Sequence, residues 1–331
     1  MTYILSANKI MAMSKTREAW LRERKRGLGG TDVACIICSS AEPSQRLGCF
    51  DKSAFALWAD KVGIEAPSGS RDTGAARRGL IMEKYVVEMY EEKLGSNVEL
   101  VDSGLLWHPK NEKIFGTPDR LVKQNGISFG MDAKTRRSRK GWGDNGSSDV
   151  PLDVEVQMRV YMEITDAPYW DIATYFGLDD LRIYRLVRDK TLGKQILQVA
   201  LDWWEKHVVG YQPPPPDGSD DARQILGALY REPDAELFKE ASAKDKELYE
   251  ELLDVRAENN KLTARKKEIE NEIRSSIGDA IGIEGIATWK PNRPSKVFDR
   301  DKFREENPEM YDKYIKERPG SRVLRIIGIN K

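Results

Sequence analysis

Apolar positions recur at three- and four-residue intervals between Arg77 and Leu94, where Leu80, Tyr85, Val87, Tyr90 and Leu94 form a broad stripe. That spacing predicts an amphipathic helix. The pattern then changes period. Val98 to Leu106, Arg120 to Val122 with Phe115 ahead of it, and Ile127 to Ala133 read as strands, separated by glycine, asparagine and proline. A helix is predicted from about Val154 to Ile164. Strands follow at Trp170 to Phe176 and Arg182 to Val187, joined by a turn at Gly177-Leu178-Asp179-Asp180, and a helix from about Leu192 to Val208. Near the start, Thr31 or Asp32 is expected to cap a short helix through Val33, Ala34, Ile36 and Ile37, after the turn Gly27-Leu28-Gly29-Gly30. Helices and strands in this order predict a layered α/β domain.

The run Pro213-Pro214-Pro215-Pro216, followed by Asp217, Gly218 and Ser219, cannot continue a helix or a sheet. It divides the chain into an α/β domain at 1–212, a linker at 213–219 and a helical region with a short β tail at 220–331. In that last region Leu248, Leu252, Val255, Leu262, Ile269 and Ile273 follow a heptad, with Asn259 and Lys266 at core-type positions. Such a pattern fits a coiled coil, and equally an antiparallel helical hairpin within its own domain. Ile283 to Trp289 and Arg322 to Ile329 look like two strands that could pair.

Charge and rare residues narrow the function. Lys+Arg and Asp+Glu both number 54, so a globally basic nucleic-acid binder is excluded while a locally basic one is not. No apolar run is long enough to span a bilayer, and Met1 to Met13 lack the order of a secretory signal, so no membrane role is expected. The three cysteines, between Cys35 and Cys49, point to a reduced compartment. With two histidines, His108 and His207, histidine-rich zinc sites and Ser-His-Asp triads lack their parts. Chemistry here is expected to run on carboxylates, lysine and a hard metal ion.

One constellation supplies those parts. Thr117-Pro118-Asp119 is followed by Asp132-Ala133-Lys134 at the end of an apolar stretch. Residues i and i+2 of a strand share a face, so Asp132 and Lys134 project together, and a hairpin would bring Asp119 beside them. Two carboxylates suit Mg²⁺ or Mn²⁺, and a lysine beside a metal-bound water can stabilise or help form hydroxide. Glu83, on a helix face next to Gly79, would add a third carboxylate. Gln157 lies between apolar neighbours and either faces solvent or reaches into a site. Arg24, Lys25 and Arg26 lead into the glycine turn and the Thr31 helix start, a combination suited to an anion.

Trp20, Arg24, Gly27-Leu28-Gly29-Gly30-Thr31-Asp32, Gly79 with Glu83, Thr117-Pro118-Asp119, Asp132-Ala133-Lys134 and Val156-Gln157, in this order, resemble the lambda-exonuclease or YqaJ-type viral recombinase family of PD-(D/E)xK nucleases. The resemblance covers roughly residues 15 to 210. It implies a restriction-endonuclease-like α/β core, a central mixed sheet flanked by helices, here with a C-terminal helical and small β extension. It implies that Glu83, Asp119, Asp132 and the Ala133 carbonyl hold one or two divalent ions, that Lys134 acts on the attacking water, and that Gln157 orients the site. Arg24 and Thr31 would hold a phosphate, and Arg136 and Arg137, with Arg139 and Lys140, would follow the DNA backbone. The implied activity is metal-dependent degradation of one strand of linear duplex DNA, 5′ to 3′, leaving a 3′ overhang for single-strand annealing. Implied partners are duplex ends, an annealing recombinase and further copies in a ring of three; the implied location is the cytoplasm of a bacterial host, as a phage or prophage protein. Asp132 stands where the family usually has Glu, and Thr31 where Ser is more usual.

Three other readings compete. An iron–sulfur nuclease needs cysteines on both sides of its core, and none follows Cys49. Cys35, Cys38 and Cys49 lack a fourth thiolate for zinc. A catalytically weak DNA-end-binding or scaffold protein, docking partners through its C-terminal helices, would tolerate loss of the carboxylates and lysine, which are present. Trp142 could stack on a base, or pack within its own loop.

Overall fold

The computed structural model describes residues 22–49, 53–64, 74–95, 98–177, 180–232, 237–316 and 322–326. Trp20 lies outside them. The chain divides into two units, Met1–Arg231 and Glu232–Lys331. Among the described residues no helix is long and apolar enough to cross a membrane.

The first unit is a mixed α/β fold. Its elements, in chain order, are β1 (Leu28–Gly29), α1 (Gly30–Ser40), α2 (Ala54–Val62), α3 (Gly74–Leu94), β2 (Val98–Val101), β3 (Leu106–His108), β4 (Asn111–Gly116), β5 (Arg120–Gln124), β6 (Ile127–Arg136), α4 (Leu152–Thr165), β7 (Tyr169–Phe176), β8 (Asp180–Val187), α5 (Lys190–Trp203) and α6 (Asp220–Leu229). A five-stranded sheet runs β2-β5-β6-β7-β8, with β6 and β7 parallel and the other neighbours antiparallel. Helix α4 makes the crossover between the parallel pair. A smaller sheet, β1-β4-β3, stands apart from it.

Alternation along the strands divides the core in two. Phe129 and Met131 of β6 and Ala173 of β7 pack with Val86, Val87 and Tyr90 of α3. Trp170 and Ile172 of β7 pack with α1, α2, α4 and α5. Residues 130, 132 and 134 therefore face α4, away from α3. A hydrogen bond from Tyr90 ties α3 to an ion pair that joins β7 and β8. Asp171, fully buried, accepts bidentate bonds from Arg185 (2.6 and 2.7 Å) and another from the Tyr90 hydroxyl (2.7 Å).

Several expectations need correction. The stripe on α3 is shifted: Leu80 and Tyr85 are exposed, and Val86 takes the buried place. Val98 to Leu106 is two strands in different sheets, because β3 pairs with β4 and not with β5. The cap of α1 is Gly29; Asp32 serves as the third residue of the helix and accepts the Gly29 N–H at 3.0 Å. A strand does occur at the glycine run, within it: Leu28 and Gly29 pair in parallel with Ile114 and Phe115. Beyond the proline run, α6 returns to the first core, burying Ala222 and Ile225 beside α2.

In the second unit α7 (Ala243–Ile277) is one continuous helix, capped by Ser242 and Asp245, so no hairpin forms along it. The strands β9 (Gly282–Ile283) and β10 (Ala287–Thr288) pair with each other. The expected pairing with the segment after Arg322 is not made among the described residues, where 322–326 carry no strand, and Ile329 lies outside them. Helices α8 (Arg300–Glu306) and α9 (Pro308–Tyr314) follow.

Gly130 sits under the indole of Trp170: a Cβ there would come within 2.1–2.2 Å of three ring atoms. Trp170 is fully buried and has no room to retreat. Gly130→Ala is expected to cost about 1–3 kcal/mol in urea unfolding. Combining it with Trp170→Leu should recover part of that loss; strictly additive losses would show that the two residues do not compete for this space.

Candidate active site

The elements bring two carboxylates and a lysine together at one end of β5 and β6. Asp119 immediately precedes β5. Its Oδ2 accepts the Ala133 N–H at 2.8 Å, and its own N–H donates to Asp132 Oδ1 at 3.4 Å. Asp132 is 2% exposed. Lys134, two residues on and on the same face, donates from Nζ to Asp132 Oδ2 and to Gln157 Oε1, the latter at 3.2 Å. Gln157 is buried on α4. Its Nε2 donates to the Tyr161 hydroxyl (2.8 Å), which in turn donates to the Thr117 carbonyl (3.4 Å). The polar chain thus closes on the residue two before Asp119.

Charge in this corner is unbalanced. Burial, and then the neighbouring Asp132, push the Asp119 carboxyl up to about 8. Lys134 is also buried, which alone would favour its neutral form, but Asp132 and Asp119 hold it above its ordinary value, so it stays an ammonium. Buried carboxylate oxygens in excess of the cations around them are a donor set that fits a hard divalent ion. Asp119 and Asp132 are the side chains that would hold it.

Glu83 is not gathered into that set. Helix α3 lies on the other face of the sheet, and Glu83 stands 3.7 Å from Arg120, whose guanidinium also meets Asp102 (2.8 Å) and the Asp119 carbonyl (2.5 Å). It remains close enough to feel the site: burial and then Asp132 raise it, against the lowering effect of Arg120. Among the described residues no group of three Asp, Glu, His or Cys side chains is arranged to hold a metal. Nor does Gly79 allow a close helix–strand approach, since a Cβ there would meet nothing within 4 Å.

Beside Lys134 and Gln157 opens a cavity of about 210 Å³. Thr31, Arg46, Lys134 and Arg136 supply its hydroxyl and cations, Asp153 a carboxylate, and Cys35 and Cys38 part of the wall. Arg24 does not line it. The Arg24 carbonyl accepts from Lys61 Nζ (2.8 Å), and its charge acts on Asp32. Arg136 also lies over the Trp142 ring, 5.7 Å from its centroid. Arg137, Arg139 and Lys140 are exposed beyond the strand end. Trp142 itself is a core residue, packed on Phe176 and Tyr184. His207 packs on Trp203, and its Nδ1 meets the Gln212 carbonyl, so it has a structural place.

The glycine run serves close packing. A Cβ at Gly27 would strike the Lys113 carbonyl at 2.5 Å, at Gly29 the Phe115 ring at 2.9 Å, and at Gly30 Tyr161 at 2.8 Å and Gln157 at 3.1 Å. A Cβ at Gly116 would meet the same Tyr161 ring at 2.8–2.9 Å. Sequence reasoning missed Tyr161, Arg120, Arg46 and Lys61. The four-residue spacing of Gln157 and Tyr161 on one helix was the available signal for the first; the others depend on long-range contacts.

Residues 19–168 match the YqaJ-like viral recombinase domain. Over 319 residues the chain is 27% identical to the uncharacterized protein YqaJ of Bacillus subtilis (strain 168), covering 95% of this chain and 94% of that protein. Among solved structures it is similar to an alkaline exonuclease (LHK-Exo) from Laribacter hongkongensis, at 17% identity and a TM-score of 0.43, over 58% of this chain and 93% of that one. A structure of LHK-Exo in complex with dAMP gives 16% identity and a TM-score of 0.40, over 59% and 100%.

Lys61 Nζ, 2% exposed at its side chain, donates to Asp32 Oδ2 at 2.8 Å. Burial alone would raise the Asp32 carboxyl, but the contact with Lys61 overrides it and holds the group below its ordinary value. A depressed carboxylate stabilises the fold above its unfolded pKa, and that contribution is lost as pH falls through the folded value. Asp32→Asn should therefore cost about 3–5 kcal/mol near neutrality, by stranding the Lys61 charge. The gap between wild type and variant should shrink below about pH 4. Urea unfolding over a pH series reads both, and a gap independent of pH would refute the assignment.

Proposed function

Because residues 19–168 belong to the YqaJ-like viral recombinase family of lambda-exonuclease-type proteins, we propose that the chain is a metal-dependent DNA exonuclease acting 5′ to 3′ on linear duplex. The observation that carries this reading is the junction of Asp119, Asp132 and Lys134 on one sheet face, with Gln157 fixed beside them. Duplex ends are the substrate, and a 3′-overhanging strand is the product offered to an annealing partner. The site works within the first unit, and a ring of three copies is the assembly that would enclose the duplex.

Bound Mg²⁺ or Mn²⁺ would supply a Lewis acid and a more acidic water. Asp119 and Asp132 would hold it, with the Ala133 carbonyl and a rotated Glu83 as further ligands. Lys134, kept protonated by its neighbours, donates a hydrogen bond toward the attacking water or the phosphate oxygen on which charge develops. Gln157 keeps the Lys134 ammonium aimed, and Tyr161 keeps Gln157 in place. In hydrolysis the water oxygen bonds to phosphorus, the bridging P–O bond breaks, and the leaving oxygen takes a proton. Arg136 and Arg137 would position the backbone without reading sequence.

End-labelled linear duplexes, digested with and without Mg²⁺, test the activity. Label should be lost from the 5′ strand only, and only when metal is present. Lys134→Ala should lower turnover by about 10²-fold or more while DNA binding is kept. Near-normal turnover would reduce Asp132–Lys134 to a structural ion pair. Asp119→Asn and Asp132→Asn should each abolish metal-dependent cleavage, and unchanged calorimetric metal binding in both would contradict their assignment as ligands.

The cavity beside Lys134 supports an anion subsite for the terminal 5′ phosphate, with Thr31, Arg46 and Arg136 in its wall, and Arg24, outside that wall, acts on Asp32 of the helix that carries Thr31. A 5′-phosphorylated duplex is then digested faster than a 5′-hydroxyl one. Thr31→Val and Arg24→Ala should narrow that difference by slowing the phosphorylated substrate. Equal slowing on both substrates would assign the two residues to general binding or folding.

A further inference from the structure

We propose that Arg120 is a positioning residue that holds Glu83 away from the acidic corner until a divalent ion draws it in, with Asp102 as the carboxylate that keeps Arg120 when Glu83 leaves. The inference rests on the reading of Asp119 and Asp132 as ligands of that ion.

The surroundings of one nitrogen carry it. Arg120 Nη1 donates to the Asp119 carbonyl at 2.5 Å, and lies 2.8 Å from Asp102 Oδ1 and 3.7 Å from Glu83 Oε1. The nitrogen has two hydrogens, and the two nearer oxygens suffice to occupy them. Glu83 is therefore held by charge, across a gap longer than a hydrogen bond. Its side chain is 34% exposed, so solvent screens the attraction and the contact is weak. Arg120 itself opens β5 opposite Met131, on the face that α3 covers, whereas the Asp119 carboxylate turns to Ala133. By reaching back to the Asp119 carbonyl, the cation that holds Glu83 also braces the strand end that carries Asp119.

This arrangement has two stable settings. Glu83 lies near enough for the charges of Asp132 and Lys134 to act on it. Asp132 repels it, and the Lys134 ammonium is already bonded to Asp132, so Arg120 is the better-placed cation. A divalent charge held by Asp119 and Asp132 reverses that preference, because attraction to the ion grows with its double charge. When Glu83 turns to the ion, Arg120 keeps Asp102 and the Asp119 carbonyl. No cation is stranded, and the penalty that follows from breaking an enclosed pair is avoided. Asp102, 80% exposed just after β2, is placed to take that share without entering the site.

The test reads Mn²⁺ binding to the full-length chain, without DNA, by electron paramagnetic resonance of the unbound ion. Arg120→Met should bind Mn²⁺ more tightly than wild type. In a Glu83→Gln background that gain should shrink by about threefold or more, because no carboxylate remains to be released. Asp102→Asn alters an exposed side chain and leaves the fold intact. It should weaken binding, since Arg120 then turns to Glu83 alone, and by about threefold more than the same change does in Arg120→Met. A gain in Arg120→Met that does not depend on Glu83, unchanged or weaker binding in Arg120→Met, or an Asp102→Asn loss that persists in full beside Arg120→Met would each overturn the proposal while the metal site stands. Mn²⁺ binding that is absent from wild type, or that survives Asp119→Asn and Asp132→Asn, would sink the metal reading itself and the role of Arg120 with it.

Discussion

A buried carboxylate, Asp132, a half-buried one, Asp119, and a single ammonium beside them set the terms for the first unit. Asp119 and Asp132 are held together by backbone N–H groups, at 2.8 and 3.4 Å, so the sheet itself fixes their spacing. Burial, and then the charge of Asp132, lift Asp119 to about 8, while the two carboxylates keep Lys134 charged. A divalent ion held by the two carboxylates would relieve the electrostatic stress of such a corner. Arg120 and Glu83 extend the same charge network around the strand end, which makes Glu83 responsive to the site while it is still paired elsewhere.

A second constraint is steric. Tyr161 is the surface on which distant pieces of chain meet. Gly30 from the start of α1 and Gly116 from the end of β4 both lie against its ring, where any side chain would collide. Its hydroxyl continues the hydrogen-bonded chain from Lys134 through Gln157 to Thr117. One side chain therefore fixes how close the helix carrying Thr31 can come to the helix carrying Gln157. The cavity between Thr31 and Lys134 has its width set by these contacts.

The legible parts of this fold were those governed by local periodicity. Alternation along β6 put Asp132 and Lys134 on one face, because a strand leaves no other choice. The hairpin that brings Asp119 alongside followed from a short glycine turn at Asn125-Gly126. What stayed hidden depended on which face a helix covers. On α3, Val87, Tyr90 and Leu94 reach the core as expected while Leu80 and Tyr85 do not, and Glu83, on a helix that packs against the sheet's other side, meets Arg120. The glycines before Thr31 were read, with the arginines and the helix start, as an anion site; that each also makes room for a specific neighbour is information that resides in Lys113, Phe115 and Tyr161. Lys61 gave no local sign of its bond to Asp32, 29 residues away. The tail strands were paired with the wrong partner because both were short apolar runs, and a four-residue turn closed the nearer pair first.

The parallel β6–α4–β7 crossover has a consequence for the order in which the molecule comes apart. Asp119 is joined to Ala133, and Lys134 to Gln157, across gaps of 14 and 23 residues, whereas Gly30 reaches Tyr161 from more than a hundred positions away. Each doubling of a closed loop adds about 0.6 kcal/mol of entropic cost, so the N-terminal wall of the cavity is held by the longer and more expensive closure. On that entropic ground the acidic pair and its lysine form a local unit that would outlast the wall during partial opening. Thermal or chemical loosening would then release the segment around Thr31 first, leaving a core that still gathers the carboxylates but has lost the side of the cavity facing them.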